Sequence, residues 1–92
     1  MRESTIEAHL VKSVTEKGGL IRKVQWIGRR GAPDRCVMMN GKTVWIELKA
    51  PGKKPQPHQE REHERMRQMG QTVLVVDSIE GVDALLGNLW DL

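Results

Sequence analysis

The segment that decides the fold of this chain is GAPDRCVMMNGKTVWIELK, residues 31–49. Near its centre, Asn40-Gly41 separates two mainly apolar runs, residues 34–39 and 43–49. Asn-Gly between apolar runs is a strong hairpin signal, because both residues tolerate the positive φ of a type I′ turn. The segment therefore predicts two antiparallel strands joined by a two-residue turn.

The turn also sets the register of the predicted hairpin. With Asn40-Gly41 as the loop, Asp34 lies directly opposite Glu47 on the facing strand. Opposed residues have Cβ atoms about 4.5–5.5 Å apart, so two carboxylates placed there would repel each other. A divalent cation needs converging oxygen ligands and would turn this repulsion into a binding site.

Strand alternation puts Trp45, Glu47 and Lys49 on one face of the second hairpin strand. The apolar residues between them then point to the other face, towards the core: Val44, Ile46 and Leu48. A lysine beside a metal-bound carboxylate can orient a water or stabilise charge that develops on a phosphodiester. Glu and Lys on a strand are otherwise ordinary solvated residues, so the E-x-K spacing gains its meaning from the facing Asp34. Trp45 shares this face and is the tryptophan to suspect of base contact.

Periodicity outside the hairpin predicts the remaining elements. A capping box at Ser4–Glu7 opens a helix that ends at Gly18-Gly19. The helix at 58–69 is polar and should mostly face solvent, whereas the apolar run Thr72–Val76 is typical of a strand buried on both faces. The other predicted segments are a strand at 20–26, loops at 27–33 and 50–57, and a helix at 79–92. The order α-β-β-β-α-β-α predicts an α/β fold with a mixed sheet flanked by helices, in one domain over residues 1–92.

Charge along the chain is uneven. The net charge is +3, but residues 22–54 hold nine basic residues against two acids, Asp34 and Glu47, which makes this stretch +7. A positive region of this kind suggests a bound polyanion such as a nucleic acid, although a solvated basic surface is the alternative.

Cysteine and histidine usage narrows the class of protein further. Cys36 is the only cysteine, which fits a reducing, intracellular (cytoplasmic) compartment. We expect neither a signal peptide nor a membrane span. The spacing of His9, His58 and His63 does not match a zinc site.

The motifs in residues 31–49 resemble those of a known family. Gly31-Ala32-Pro33-Asp34, the hairpin and Ile46-Glu47-Leu48-Lys49 resemble the PD-(D/E)xK nuclease core. The G-x-P-D form, the short length and the element order resemble its VRR-NUC branch (virus-type replication-repair nuclease). The resemblance runs from Glu7 to about Val76 and implies a restriction-endonuclease-like α-β-β-β-α-β core.

The resemblance also implies roles for individual residues. Asp34 and Glu47 would bind Mg²⁺ or Mn²⁺ together with the backbone carbonyl of Leu48, and Lys49 would be the catalytic lysine. Glu7 on the first helix would join the metal site, although its place in the capping box is a sufficient alternative. Gln59 on the second helix matches a family glutamine, although a glutamine in a polar helix is usually solvated. An aromatic that often follows this glutamine is missing, with Glu62 and His63 in its vicinity.

From this resemblance we expect a structure-selective endodeoxyribonuclease, in the form of a homodimer that resolves four-way (Holliday) junctions, and a phage origin. A nicking or flap nuclease and a non-catalytic DNA-binding module are the alternatives, and RNA cleavage stays open. The residues expected to contact DNA are Arg29, Arg30, Arg35, Lys53 and Lys54. The apolar tail would either form the dimer interface or cap its own core: Leu85, Leu86, Leu89, Trp90 and Leu92.

Overall fold

The computed structural model of the chain describes the backbone of residues 1–90 and the side chains of residues 1–88. The elements occur in the predicted order α-β-β-β-α-β-α. They are α1 (Glu3–Glu16), β1 (Leu20–Lys23), β2 (Arg35–Met39), β3 (Lys42–Leu48), α2 (Pro57–Gln68), β4 (Thr72–Val76) and α3 (Ile79–Trp90).

The four strands form one mixed sheet in the order β1-β2-β3-β4. The first three strands are antiparallel, and β4 runs parallel to β3 after the crossover through α2. Asn40 and Gly41 have φ values of 53° and 75°, which confirms the type I′ turn. Arg35 pairs with Ile46, so Asp34, one residue before β2, lies opposite Glu47 as predicted.

The apolar core lies on one face of this sheet, under α1 and α3. Alternate residues of β2 and β3 form the sheet side of this core, and the regularly spaced apolar residues of α1 pack over them. Its central members are Ile6, Leu10, Val14, Val37, Ile46, Leu48, Val82 and Leu86. The other face is covered by α2, so the start of β2 and the end of β3 meet beneath this helix.

Two predictions about the first part of the chain were wrong. Helix α1 begins at Glu3 with Arg2 as N-cap, and Arg2 makes no side-chain capping bond. Ser4 lies inside the helix, so the predicted capping box does not form. Strand β1 ends at Lys23, before Trp26, because Trp26 turns away from the sheet edge and its Nε1 donates to Glu62 on α2 at 2.7 Å.

Of two predictions about burial, the one for α2 is confirmed and the one for β4 is wrong. Most residues of α2 are exposed, although Glu62 and His63 are buried. The helix packs through polar contacts, which an apolar-periodicity criterion does not detect. Strand β4 is the edge of the sheet, and Leu74 and Val75 keep 36% and 40% of their surface exposed. The side chains of β4 are not buried on both faces, because β4 has a neighbouring strand on one side only.

The apolar tail packs inward over its first turns. Val82 and Leu86 are buried in the core, and Leu85 packs against it, so Leu86 caps its own domain and is not available for a dimer interface. The side chains of Leu89 and Trp90 and the whole of Leu92 lie outside the described residues. None of the helices within residues 1–90 has the length and apolarity needed to cross a membrane.

Candidate active site

Asp34 is held at the point where β2 meets the end of β3. Its Oδ2 accepts a hydrogen bond from the Leu48 backbone N–H at 2.8 Å, and its own carbonyl accepts from Val24 N–H at 2.9 Å. The carboxylate is therefore tied to the end of β3, and the backbone of Asp34 is tied to the residue that follows β1. This anchoring fixes the position of Asp34 without involving a second side chain.

Glu47 is a buried carboxylate on the α2 face of the sheet, with 1% of its surface exposed. Its Oε2 accepts from Gln59 Nε2 at 2.9 Å and lies 3.3 Å from Lys49 Nζ. Its Oε1 is buried and has no hydrogen-bond partner within the described part of the chain. The nearest candidate is His63 Nε2, at 3.8 Å, which is too far for a hydrogen bond. One oxygen of Glu47 is thus free to take a further ligand.

Gln59 connects the residues of this site. Its Oε1 accepts from Lys49 Nζ at 2.9 Å and from the Gln56 backbone N–H at 2.8 Å, while its Nε2 donates to Glu47. An amide with both ends engaged in this way has one workable orientation. The sequence left open whether Gln59 is solvated or belongs to the site. In the structure Gln59 contacts both Glu47 and Lys49.

The electrostatics of the site favour an additional positive charge. Burial first, and then the negative charge of Asp34, raise the pKa of Glu47 from 4.5 to about 7, against the opposing effect of Lys49. A buried carboxylate facing a like charge is costly unless a cation compensates it. The single ammonium of Lys49 does not offset both acids, so the free oxygen of Glu47 faces unbalanced negative charge.

These residues fit a hard divalent cation. Among the side chains of residues 1–88 there is no cluster of three or more His, Cys, Asp or Glu that could hold a metal ion. Mg²⁺ commonly uses one or two carboxylates and completes its shell with water and substrate phosphate. Asp34 and the unpartnered oxygen of Glu47 match that requirement, and the Leu48 carbonyl belongs to the same strand end.

Glu7 lies on the opposite face of the sheet. Its Oε2 accepts from Arg35 Nε at 2.9 Å, and Arg35 pairs with Ile46 on the α1 side. Its role as a metal ligand stays a prediction, as does DNA contact by the partly buried Arg35. The α1 acid whose charge reaches Glu47 is Glu3, in the first turn, which also raises the Glu47 pKa. The sequence analysis did not single out Glu3.

His63 is a second residue that the sequence analysis missed as part of this site. It is 1% exposed and lies one helical turn after Gln59, with its Nε2 directed at Glu47. Burial first, and then the charge of Arg67, lower its pKa, so the ring is neutral at neutral pH. The spacing from Gln59 puts both side chains on one face of α2, which was the available signal.

The predicted basic loops border this site. Arg29 Nε lies 3.7 Å from Glu62, and Arg30 Nη2 lies 3.4 Å from His58 Nδ1. Partial desolvation and the positive charges of Arg30, Arg61 and Lys49 lower the pKa of His58. On the other loop, Lys53 and Lys54 are exposed. Arg29 and Arg30 are thus held against α2, the helix that carries Gln59 and His63.

Comparison with known proteins identifies the family. The chain resembles a solved VRR_NUC domain with a TM-score of 0.85 and 40% identity, over 92% of this chain and 94% of that one. The chain belongs to the VRR-NUC nuclease family. It is also 51% identical over 79 residues, 85% of each chain, to a protein described as a candidate nuclease, p44, from Acyrthosiphon pisum secondary endosymbiont phage 1. No protein-family model matches the sequence.

Within this VRR-NUC domain the two predicted motifs and α2 form one structural unit. In the vicinity of the missing aromatic, both Glu62 and His63 are buried. His63 brings a ring nitrogen that faces Glu47.

Proposed function

We propose that this VRR-NUC domain is a metal-dependent, structure-selective endodeoxyribonuclease that hydrolyses phosphodiesters in branched DNA. The observation that carries the proposal is the buried Glu47, which faces Asp34 and is joined to Lys49 through Gln59, and which has one oxygen without a partner among the described residues. Buried oxygens in a purely structural site are nearly always hydrogen-bonded. A family that contains nucleases supports the same reading.

Asp34, Glu47 and the backbone carbonyl of Leu48 would hold Mg²⁺ or Mn²⁺. When bound, such an ion polarises a phosphodiester and lowers the pKa of a water. The chain itself supplies the positioning. Gln59 holds the Lys49 ammonium beside the carboxylates, where it can donate hydrogen bonds to phosphate oxygens as their charge grows in the transition state.

The basic loops would position the DNA backbone. Arg29 and Arg30 on one side, and Lys53 and Lys54 on the other, place positive charge around the entrance to the site. Phosphate contacts of this kind fix the orientation of the duplex without reading its sequence. Selectivity must then come from the shape of the substrate, which favours branched over linear DNA.

We further propose that the active form is a homodimer that resolves Holliday junctions. Two active sites related by a two-fold axis would cut a four-way junction symmetrically. With Leu86 buried in its own core, the open edge of β4 offers a better interface than α3, because Leu74 and Val75 are partly exposed there. The phage relative supports action inside an infected host cell.

Two alternatives predict different products. A nicking or flap nuclease would cut branched substrates as a monomer and without symmetry. A non-catalytic DNA-binding module would bind without cleaving, although it would have no need of an intact Asp34, Glu47 and Lys49.

The test is cleavage of a labelled immobile four-way junction, with linear duplex, flap and single-stranded RNA as comparison substrates. Each reaction contains Mg²⁺, Mn²⁺ or EDTA. Glu47→Ala and Lys49→Ala are compared with wild type, and Glu16→Ala serves as control because Glu16 is exposed on α1. Symmetric, metal-dependent cuts that are lost in the first two variants and kept in the control support the resolvase.

Other outcomes separate the alternatives. Cuts at flaps or nicks by a protein that sediments as a monomer at micromolar concentration would favour the nicking nuclease. DNA binding of equal strength in EDTA and Mg²⁺, with no cleavage of any substrate, would refute the enzyme and leave the binding module.

A further inference from the structure

The most exposed apolar side chain near the site is Ile27, with 99% of its surface open. It lies in the loop formed by residues 26–31 (WIGRRG), here called the 26–31 loop. Single exposed apolar residues are common on protein surfaces and need no explanation by themselves. Ile27 differs because its loop is anchored on both sides and is flanked by arginines.

The first anchor is Trp26. Its Nε1 donates to Glu62 Oε2 at 2.7 Å, and its ring packs edge-on against Trp45, with centroids 5.9 Å apart. Glu62 is itself buried and is held by Arg65 at 2.9 Å. The residue immediately before Ile27 is therefore fixed to α2 and to the sheet.

The second anchor is Gly31. Its φ is +95°, and a Cβ placed there would lie 2.8 Å from the His58 carbonyl oxygen and 2.9 Å from Glu62 Cβ. The loop backbone is thus pressed against α2 at a distance that only glycine allows. Between the two anchors, Gly28 also has a positive φ of 84° and lies in open space. The loop returns to α2 at Gly31, and Ile27 stays in solvent.

The same loop adjoins the predicted active site. The added Cβ of Gly31 would lie 3.3 Å from Gln59 Cα, and the Gln59 side chain contacts both Lys49 and Glu47. Arg29 and Arg30 follow Ile27 after Gly28, and arginine side chains are suited to contact phosphates. An apolar side chain is therefore presented next to cationic ones, on a loop that packs against the helix that positions the site.

We propose that Ile27 is a wedge that inserts into the base stack of the DNA substrate beside the cut, a step that deepens the proposed nuclease function and rests on it. Apolar residues, isoleucine among them, unstack base steps and kink duplexes in this way. Unstacking costs least where pairing is already interrupted, so a wedge favours branched DNA over linear duplex. Ile27 is thus a specificity-determining residue of the site.

The experiment uses junctions that carry 2-aminopurine, whose fluorescence rises on unstacking, at successive positions on either side of the cut. Wild type is compared with Ile27→Ser, with the conservative Ile27→Leu, and with Met69→Ser as a matched control for loss of an exposed apolar residue. Binding is followed in EDTA, and cleavage of junction and duplex in Mg²⁺. Ile27 makes no buried contact, so its variants should fold normally.

We expect a several-fold rise in fluorescence with wild type, Ile27→Leu and Met69→Ser, and none with Ile27→Ser. The preference for junction over duplex should fall at least about tenfold in Ile27→Ser, since burial of an isoleucine side chain is worth roughly that factor or more. An unchanged preference in Ile27→Ser, or no fluorescence rise on binding of wild type, would overturn the wedge. Absence of cleavage by wild type, with a rise that depends on Ile27, would refute the nuclease and keep the wedge as a binding device.

Discussion

The two faces of the sheet use burial for opposite purposes. On the α1 and α3 side, buried positions of β3 such as Ile46 meet apolar side chains, and every contact favours the folded state. On the α2 side, the adjacent Glu47 is just as buried but meets charges and dipoles, and one of its oxygens has no partner among the described residues. Adjacent residues of one strand therefore serve stability on one face and, as proposed, chemistry on the other.

The difference shows where this small domain tolerates unfavourable energy. A chain of this size has little stability to spare, yet it keeps a buried carboxylate, Glu47, whose pKa is raised to about 7 by its burial and then by the negative charge of Asp34. Such strain persists when the surrounding structure imposes it, and it is concentrated at functional sites. Substitutions on the two faces should therefore separate activity from stability.

The largest expected effect is on the α2 face. Lys49→Met removes the ammonium that Gln59 holds beside Glu47, and we expect DNA cleavage to fall by about 10²–10⁴-fold with little change in Tm. Lys12→Met is the matched control, because Lys12 lies largely exposed on α1. Single-turnover cleavage assays and thermal melts provide the two measurements. Equal losses in both variants would remove the distinction between the faces.

The next effect belongs to the core face. Leu10 is fully buried, so Leu10→Ala should destabilise the protein by about 2–5 kcal/mol through lost burial and a cavity. Urea unfolding measures this loss. Cleavage per folded molecule, assayed well below the new Tm, should stay within a few-fold of wild type. A drop as deep as that of Lys49→Met would mean that the core face also shapes the site.

An intermediate effect is expected at Gln59, which touches the acid and the lysine together. Gln59→Ala should lower cleavage about 10–100-fold and raise the metal concentration needed for half-maximal rate, as loss of an orienting partner does. Gln68→Ala, at the exposed end of α2, is the control. If cleavage fell with no change in metal requirement, Gln59 would act on Lys49 alone.

The smallest expected effect is a pH-dependent change in protein stability at Glu47. Because the folded-state pKa of Glu47 is raised from 4.5 to about 7, its protonation stabilises the metal-free protein fully below pH 4.5. This contribution is lost as the pH rises through about 7. In EDTA, Glu47→Gln should therefore be more stable than wild type by about 1–2 kcal/mol near pH 8 and nearly equal near pH 5. Thermal melts at both pH values test this, and a variant that is less stable at pH 8 would contradict the unbalanced-charge account.

How far the sequence predicts the structure depends on the range of the interactions. The hairpin, its register and the facing of Asp34 by Glu47 follow from Asn40-Gly41 and strand alternation, which are local. The same alternation places Arg35 on the face opposite Asp34, so the ion pair between Arg35 and Glu7 could have been anticipated from the register. The predicted capping box does not form because the helix starts two residues earlier, with Arg2 and not Ser4 as its N-cap.

The α2 face was harder to predict, because polar burial leaves no apolar period. Glu62 and His63 look like solvated residues in the sequence and are buried only because Trp26 and Glu47 lie under the helix. The role of Gln59 as a connector likewise depends on two partners from other elements. These contacts exist only in the folded structure, in which α2, the crossover helix between β3 and β4, packs on the sheet.

The sequence alone determined the element order, the hairpin register and the Asp34, Glu47 and Lys49 set, because turn chemistry and strand period act between near neighbours. Tertiary structure alone decided which acid of α1 acts on Glu47, which helix closes the site, and where Ile27 is left in solvent. These depend on the distances between elements far apart in the chain, and packing, not local pattern, sets those distances.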